Sequence, residues 1–220
     1  MSNAIGRFAG PGSLGESDCL VVIDLQNDFM PSGALPVPDG DAVVPVINRL
    51  AEAFPHVVAT QDWHPADHSS FASAHPGRGA FETIEAPYGP QTLWPDHCVQ
   101  GTEGAALHNG FASARAELIL RKGFRPDIDS YSAFTENDRK TPTGLAGYLR
   151  ERGFKRLFFA GLATDYCVRW SVEDARTAGF EAVLIEDACR AIDLAGSLAA
   201  AMKAMADAGA MSSSVDALLG

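Results

Sequence analysis

The sequence contains no apolar run that approaches the ~20 residues needed to span a bilayer. Basic residues are in the minority, since 17 Lys and Arg stand against 28 Asp and Glu, for a formal net charge of −11. This balance argues against nucleic acid and against an anionic membrane surface as partners. Residues 1–17 lack the basic and apolar segments of a secretory signal. We therefore expect a cytoplasmic protein with no nucleic-acid or membrane partner.

Cysteine is scarce, and no CxxC pair is present. The chain has four widely spaced cysteines: Cys19, Cys98, Cys167 and Cys189. In a chain of 220 residues this indicates free thiols in a reducing compartment rather than a disulfide framework. Internal repeats and domain linkers are also absent. We expect one domain over residues 18–220, preceded by a flexible arm at residues 1–17, which is rich in Gly, Ser and Pro.

Apolar runs alternate with helical patterns along the chain. The runs predict strands at 19–25, 56–64, 116–123, 156–162, 181–187 and 209–215. Helices are predicted at 41–54, 141–152, 165–178 and 194–208. This alternation predicts an α/β fold of three αβα layers around a mostly parallel, six-stranded sheet, with sites at the carboxyl ends of its strands. Residues 65–115 show no clear periodicity, and loops of that length are usually functional.

Three reactive side chains fall near predicted strand ends. Asp24 lies at the end of the first strand, Lys122 closes the third, and Cys167 begins the helix after the fourth. Each has a structural explanation when taken alone: a turn cap, a solvated strand end and a small buried hydrophobe. Together they form the acid, base and thiol that cysteine nucleophile chemistry requires.

Cys167 is predicted to lie in the first turn of its helix, because Thr164 and Asp165 are good N-caps. Unpaired N–H groups and the positive end of the helix dipole favour a thiolate there, so we expect a lowered thiol pKa. Asp24 can take the thiol proton, and the strand-end lysine can offset the accumulating negative charge. The backbone N–H groups of Ala163 and Cys167 could bind an oxyanion.

A separate pattern indicates a metal site. Asp62 and His64 are two residues apart on a predicted strand, so both face the same side. A second histidine would complete a set suited to Zn, Fe or Mn. His97, in the long irregular segment, is the strongest candidate, with His68 and His75 as alternatives. A solvated aspartate and a capping histidine would also explain the DxH pattern by itself.

Five stretches in order carry a resemblance: VVIDLQNDF (21–29), ATQDWHPADH (59–68), LWPDHCVQGTEG (93–104), KGFRPDIDSYSAF (122–134) and GLATDYCV (161–168). Together they resemble the nicotinamidase/pyrazinamidase branch of the isochorismatase-like cysteine hydrolases, over about residues 18 to 215. The resemblance implies the following site residues: a catalytic triad of Asp24, Lys122 and Cys167, metal ligands Asp62, His64 and His97, ring-binding Phe29 and Trp94, and a cis peptide bond between Leu162 and Ala163 that shapes an oxyanion hole.

The implied reaction is hydrolysis of nicotinamide, and of pyrazinamide, through a thioester, with one divalent ion of Zn, Fe or Mn orienting the ring. Isochorismatases lack the nucleophilic cysteine at this place. An N-carbamoyl or ureidoacrylate-type amidohydrolase would share the triad but would not require both metal motifs. An Fe(II) enzyme with two histidines and one carboxylate would leave Lys122 and Cys167 without a role. The sequence leaves the oligomeric state open, including a homo-oligomer.

Overall fold

The computed structural model describes residues 5–8 and 14–220. Its main feature is a seven-stranded sheet in which all neighbouring strands are parallel. The strands are β1 (Gly6–Arg7), β2 (Asp18–Ile23), β3 (Val57–Asp62), β6 (Leu118–Lys122), β7 (Arg156–Leu162), β8 (Glu181–Arg190) and β9 (Met211–Ser213). Their order is β1-β9-β8-β7-β2-β3-β6, and β4 (Thr83–Ala86) and β5 (Gly89–Thr92) form a separate antiparallel hairpin.

The predicted α/β fold with a parallel sheet is confirmed, but the prediction of six strands is wrong. The seventh strand, β1, pairs with β9 over two residues, which is too short to show an alternating pattern in sequence. Residues 1–4 and 9–13 of the predicted arm lie outside the described residues.

In the described part of the chain, five α-helices cover the two faces of the sheet: α1 (Val43–Ala53), α2 (Leu145–Glu151), α3 (Arg169–Thr177), α4 (Ser197–Asp207) and α5 (Val215–Leu219). Strand β2 is buried throughout because its alternate side chains enter two different cores. Leu20 and Val22 pack in the core that contains α1 residues, whereas Val21 and Ile23 pack with residues of α2, α3 and α4. This is the expected αβα arrangement.

Three predicted helices begin differently from the sequence pattern. Helix α4 starts at Ser197 instead of residue 194, because Ala195 and Gly196 have positive φ values that an α-helix does not adopt. Helix α2 starts at Leu145 instead of residue 141, because Gly144 has a φ of 100°, a left-handed conformation that an α-helix does not adopt. The helix predicted at 165–178 begins with a π-helical turn, Thr164–Val168, before α3. Cys167 therefore lies in a π turn rather than in the first turn of an α-helix.

The long irregular segment lies against the carboxyl ends of the central strands. The Gln26 side chain donates to Asp62 O at 2.8 Å and to Ala105 O at 2.9 Å. Asp28 accepts a hydrogen bond from the Cys98 N–H at 2.7 Å. Buried polar contacts of this kind fix the loop backbone next to the sheet. Among the described residues, no helix combines the length and the apolar character needed to cross a membrane.

Candidate active site

Four adjacent strands bring the predicted reactive residues together. Asp24 follows β2, Asp62 ends β3, Lys122 ends β6, and Cys167 follows β7; these strands are neighbours in the order β7-β2-β3-β6. Asp62 and Lys122 are paired in register across β3 and β6. Because all four strands run parallel, their carboxyl ends meet at one edge of the sheet.

The Lys122 ammonium is the centre of this cluster. Its Nζ lies 2.8 Å from Asp24 Oδ2, 2.5 Å from Asp62 Oδ1 and 3.4 Å from Cys167 Sγ, and it donates to Ser130 O at 2.9 Å. Burial alone would lower the pKa of Lys122, but the two carboxylates raise it well above its usual value. Lys122 is therefore charged, and it joins the predicted triad to the predicted metal ligands.

Asp24 is a buried carboxylate held in one orientation. Its Oδ1 accepts a hydrogen bond from Thr60 Oγ1 at 2.6 Å, and its Oδ2 forms the ion pair with Lys122. Burial raises the pKa of Asp24 to about 6, with Asp62 acting in the same direction and Lys122 against it. Such a carboxyl group is mostly ionised near neutral pH but still accepts a proton readily, as a general base must.

The predicted low pKa of the Cys167 thiol is wrong. Burial raises the thiol pKa well above its usual value; Lys122 lowers it, while Asp24 and Asp62 raise it. The side chain is buried, and the backbone is fixed by a hydrogen bond from Ser171 Oγ to Cys167 O at 2.6 Å. The sulfur therefore rests as a thiol, and its proton must pass to a base as it reacts.

Asp62, His64 and His97 each present a ligand atom within 4.8 Å of the other two. His64 Nδ1 is 2.8 Å from Gly123 O, and His97 Nδ1 is 2.8 Å from Pro95 O. An imidazole that donates from Nδ1 carries a lone pair on Nε2, which is the usual arrangement around a protein-bound metal. Burial lowers the pKa of His97 to about 4, with His64 acting in the same direction, so this ring is neutral. The three residues fit one divalent ion.

The alternative ligands His68 and His75 are occupied elsewhere. His68 Nδ1 lies 2.7 Å from Ser70 Oγ, and its Nε2 lies 3.3 Å from Ile128 O. His75 Nε2 lies 2.8 Å from Ser69 O, and among the described residues His75 joins no candidate metal-binding group. Both observations favour His97 as the second histidine.

A small pocket opens over Cys167 and the three candidate ligands. The predicted ring-binding residues Phe29 and Trp94 both line it. Trp94 Nε1 donates to the Tyr131 hydroxyl at 3.0 Å, and its ring meets Tyr166 edge-on at 4.8 Å. An aromatic wall beside a few polar groups is typical of a site for a small planar ligand.

Sequence reasoning did not single out Tyr131, Tyr166, Asp129 or Ile192, all of which line the pocket. The first three lie inside or beside quoted motifs, which could have identified them; nothing in the sequence marks Ile192. Near the pocket floor, the Leu162–Ala163 peptide bond is cis. Within the described residues the Ala163 N–H donates no backbone hydrogen bond. Its role in an oxyanion hole, with the Cys167 N–H, stays a prediction.

Comparison with known proteins matches residues 18–217 to the isochorismatase domain family. The nicotinamidase of Acinetobacter baylyi is 54% identical over 190 residues, which cover 86% of this chain and 89% of that protein. The structure of an Acinetobacter baumanii nicotinamidase/pyrazinamidase superposes with a TM-score of 0.92 at 51% identity, covering 93% of this chain and 99% of that one.

Two further structures are similar and carry small ligands. PnC1 of L. infantum, solved in complex with nicotinate, has a TM-score of 0.82 at 40% identity and covers 94% of this chain and 98% of that one. Pyrazinamidase of Pyrococcus horikoshii, solved in complex with zinc, has a TM-score of 0.73 at 36% identity, with coverage of 90% and 99%. The chain belongs to the isochorismatase family and groups with its nicotinamidase members.

Proposed function

We propose that the protein is a nicotinamidase, which hydrolyses nicotinamide to nicotinate and ammonia and accepts pyrazinamide as a second substrate. The observation that carries this proposal is the Lys122 ammonium, which lies beside both Asp24 and Cys167, and Cys167 in turn lines an aromatic pocket. The named activities of the similar proteins support it.

In the first half-reaction, Cys167 Sγ attacks the carboxamide carbon of the substrate. As the S–C bond forms, the thiol proton passes to Asp24, and negative charge develops on the carboxamide oxygen near the Ala163 and Cys167 N–H groups. Asp24 then gives its proton to the departing nitrogen. The C–N bond breaks, which releases ammonia and leaves a nicotinoyl thioester on Cys167.

In the second half-reaction, water attacks the thioester carbon and Asp24 accepts a proton from that water. The C–S bond breaks and nicotinic acid leaves, which loses its proton to the solvent and becomes nicotinate. The proton on Asp24 returns to the sulfur, which restores the resting thiol. Lys122 acts throughout by keeping the Asp24 carboxylate ionised and by offsetting the charge on sulfur.

Asp62, His64 and His97 would hold one divalent ion, with zinc the first candidate and iron or manganese the others. When bound, the ion supplies a Lewis acid for the pyridine nitrogen. The zinc complex of the Pyrococcus pyrazinamidase supports this assignment. Phe29 and Trp94 would enclose the substrate ring from the pocket wall.

The proposal is tested by the release of ammonia. Purified protein is incubated with nicotinamide, pyrazinamide and an N-carbamoyl amide, and its metal content is measured on the same sample. We expect stoichiometric ammonia and acid from the first two substrates and about one metal ion per chain. Turnover of the N-carbamoyl amide alone would replace the proposal with the related amidohydrolase activity.

Replacing His97 with Ala is expected to lower metal content and to raise the KM for nicotinamide, because one of three ligands is lost and the ring is oriented less well. The measurements are metal analysis after dialysis and steady-state kinetics. His75→Ala is the matched control, since it removes an imidazole that lies outside the candidate ligand group. Full metal occupancy in the His97 variant would contradict its assignment as a ligand.

A further inference from the structure

Gln91 is a buried residue in the otherwise exposed hairpin of β4 and β5. Between Thr83 and Thr92, a range that the structure describes completely, every other residue is exposed or half-buried. Gln91 is 1% exposed. A buried amide needs hydrogen-bond partners, because an unpaired one loses its hydration without compensation. The partners of Gln91 therefore indicate why a glutamine is buried at this position.

The donor end of the Gln91 side chain faces residues of the pocket. Its Nε2 lies 2.9 Å from the Tyr131 hydroxyl oxygen, 2.9 Å from Asp129 Oδ2 and 2.7 Å from Thr92 O. Tyr131 and Asp129 both line the pocket, whereas Gln91 does not. Gln91 therefore contacts the residues that line the pocket without lining it itself.

The acceptor end of the Gln91 amide is fixed by a chain of hydrogen bonds. The Tyr131 N–H can only donate, so the Asn137 atom that lies 3.0 Å from it is Oδ1. Asn137 Nδ2 then faces Gln91 Oε1 at 3.1 Å, and the Tyr88 hydroxyl donates to the same oxygen at 3.2 Å. These contacts leave Nε2 as the Gln91 atom beside the Tyr131 hydroxyl. The amide is thus held in one orientation, with its donors toward the pocket.

The Tyr131 hydroxyl joins Gln91 to Trp94. Its oxygen accepts from Trp94 Nε1 at 3.0 Å and from Gln91 Nε2 at 2.9 Å. A hydroxyl oxygen has two lone pairs, and these two donors use both. The rings of Tyr131 and Trp94 meet edge-on, with their centroids 6.1 Å apart. One oxygen atom and the two N–H groups that it accepts therefore set the relative placement of these rings.

Three rings that line the pocket pack against one another: Trp94, Tyr131 and Tyr166, which we call the three-ring wall. The Tyr166 ring lies 4.8 Å from the Trp94 ring and 5.8 Å from the Tyr131 ring, and both contacts are edge-on. Hydrogen bonds depend steeply on distance and angle. The bonds that Gln91 and Trp94 donate therefore restrain the Tyr131 ring more sharply than the ring contacts alone.

We propose that Gln91 is a positioning residue for substrate binding: its amide holds the Tyr131 hydroxyl, the hydroxyl holds the Trp94 indole, and the three-ring wall is thereby fixed before the substrate ring binds. The inference rests on the proposed function, in which Trp94 encloses that ring. A wall that is already ordered lowers the cost of binding. The wall contacts the ring equally before and during the reaction, so Gln91 should influence KM and leave kcat nearly unchanged.

The first measurement is steady-state kinetics of Gln91→Met, which keeps the length of the side chain and removes the amide. We expect the KM for nicotinamide to rise about 3- to 10-fold, the size of effect that accompanies loss of a neutral hydrogen bond, with kcat within about 2-fold of the wild type. Glu85→Met is the matched control, because Glu85 belongs to the same hairpin but is exposed. This control should keep the wild-type KM.

A double-mutant cycle tests whether Gln91 acts through the Tyr131 hydroxyl. Tyr131→Phe removes only that hydroxyl and should raise KM by a similar factor. Gln91→Met should then add little in the Tyr131→Phe background. Factors that multiply instead would show that Gln91 acts by another route, and would overturn the proposal. If Gln91→Met does not fold, Tyr131→Phe alone decides, since an unchanged KM in that variant would also overturn it.

The Trp94 indole N–H gives a measurement that does not depend on activity. Its NMR signal is assigned by its loss in Trp94→Phe, and its hydrogen exchange is measured in the free protein. We expect exchange to be about threefold faster or more in Gln91→Met, because the acceptor of this N–H is held less firmly. The indoles of Trp63 and Trp170 should keep their rates. Equal acceleration at all three indoles would indicate general destabilisation and would contradict the proposal.

The wild-type protein separates this inference from the proposed function. Hydrolysis of nicotinamide by the wild type, with KM and Trp94 exchange unchanged in Gln91→Met, would overturn the inference and leave the activity standing. Faster Trp94 exchange in Gln91→Met, with no amide hydrolysis by the wild type, would overturn the activity and leave the positioning of the wall standing. Lower thermal stability of Gln91→Met with a wild-type KM would show that Gln91 supports only the fold.

Discussion

Cys167→Ala is expected to reduce kcat for nicotinamide by about four to six orders of magnitude. The change removes the nucleophile, and the members of a catalytic triad act as a unit. Stability should change little, since only one sulfur atom is lost and Ala fits the helical turn. Steady-state ammonia release measures kcat, and thermal unfolding checks the fold. Cys189→Ala is the control: it removes another buried thiol, which donates to Phe159 O at 3.9 Å and does not line the pocket.

The role of Cys167 can also be tested without measuring kcat, by trapping the covalent intermediate. Wild-type enzyme mixed briefly with nicotinamide and quenched in acid should carry a nicotinoyl group on the peptide that contains Cys167. Iodoacetamide should also modify Cys167 before the other three cysteines, because it is the cysteine that lines the pocket, and substrate should protect it. Substantial amidase activity in Cys167→Ala would rule out the thioester and make water the attacking group.

Several site residues could be predicted from the sequence because they lie at the ends of apolar runs, which mark the ends of strands. Asp24, Asp62 and Lys122 each close an apolar run, and a parallel sheet presents all such ends on one edge. The order of the strands, however, depends on tertiary packing. For this reason the contact of Lys122 with Asp62, 2.5 Å apart and 60 residues apart in sequence, was not predicted.

Predictions from local sequence patterns failed where burial and long-range contacts determine the structure and the pKa. The capping pattern at Thr164 and Asp165 correctly indicates a helical turn, but the turn is π-helical and the Asp165 side chain instead accepts from Ile192 and Asp193 N–H groups. The low thiol pKa expected at a helix start is overridden by the desolvation of Cys167. Neither burial nor the approach of distant loops can be obtained from a local sequence pattern.

The residues of the pocket wall could also be predicted only in part. Phe29 and Trp94 are identified through motif resemblance, whereas Ile192 comes from the loop after β8 and carries no recognisable signal. Asp129 lies within a quoted motif, but its place in the pocket wall depends on tertiary packing, which a local sequence pattern does not show.

Lys122→Met is expected to reduce kcat by about two to four orders of magnitude, the range associated with loss of general acid–base catalysis. The ammonium opposes the rise in the Asp24 pKa, which is about 6 in the wild type, so its removal raises that pKa further. Asp24 must be ionised to accept the thiol proton. The acid limb of the kcat–pH profile should therefore move to higher pH, and activity at neutral pH should fall. Steady-state kinetics across pH measures both effects.

Lys122→Met should also lower the free energy of unfolding, because removal of one partner from a buried ion pair is destabilising by about 3–5 kcal/mol. Lys155→Met, at an exposed position, is the control for loss of a lysine. Metal content distinguishes the contact of Lys122 with Asp62 from its contacts with Asp24 and Cys167. Asp62 can bind a cation without Lys122, so the folded variant should keep its metal while its kcat falls. A folded Lys122→Met variant with near-normal turnover and an unshifted pH profile would show that Lys122 only neutralises buried charge and takes no part in proton transfer.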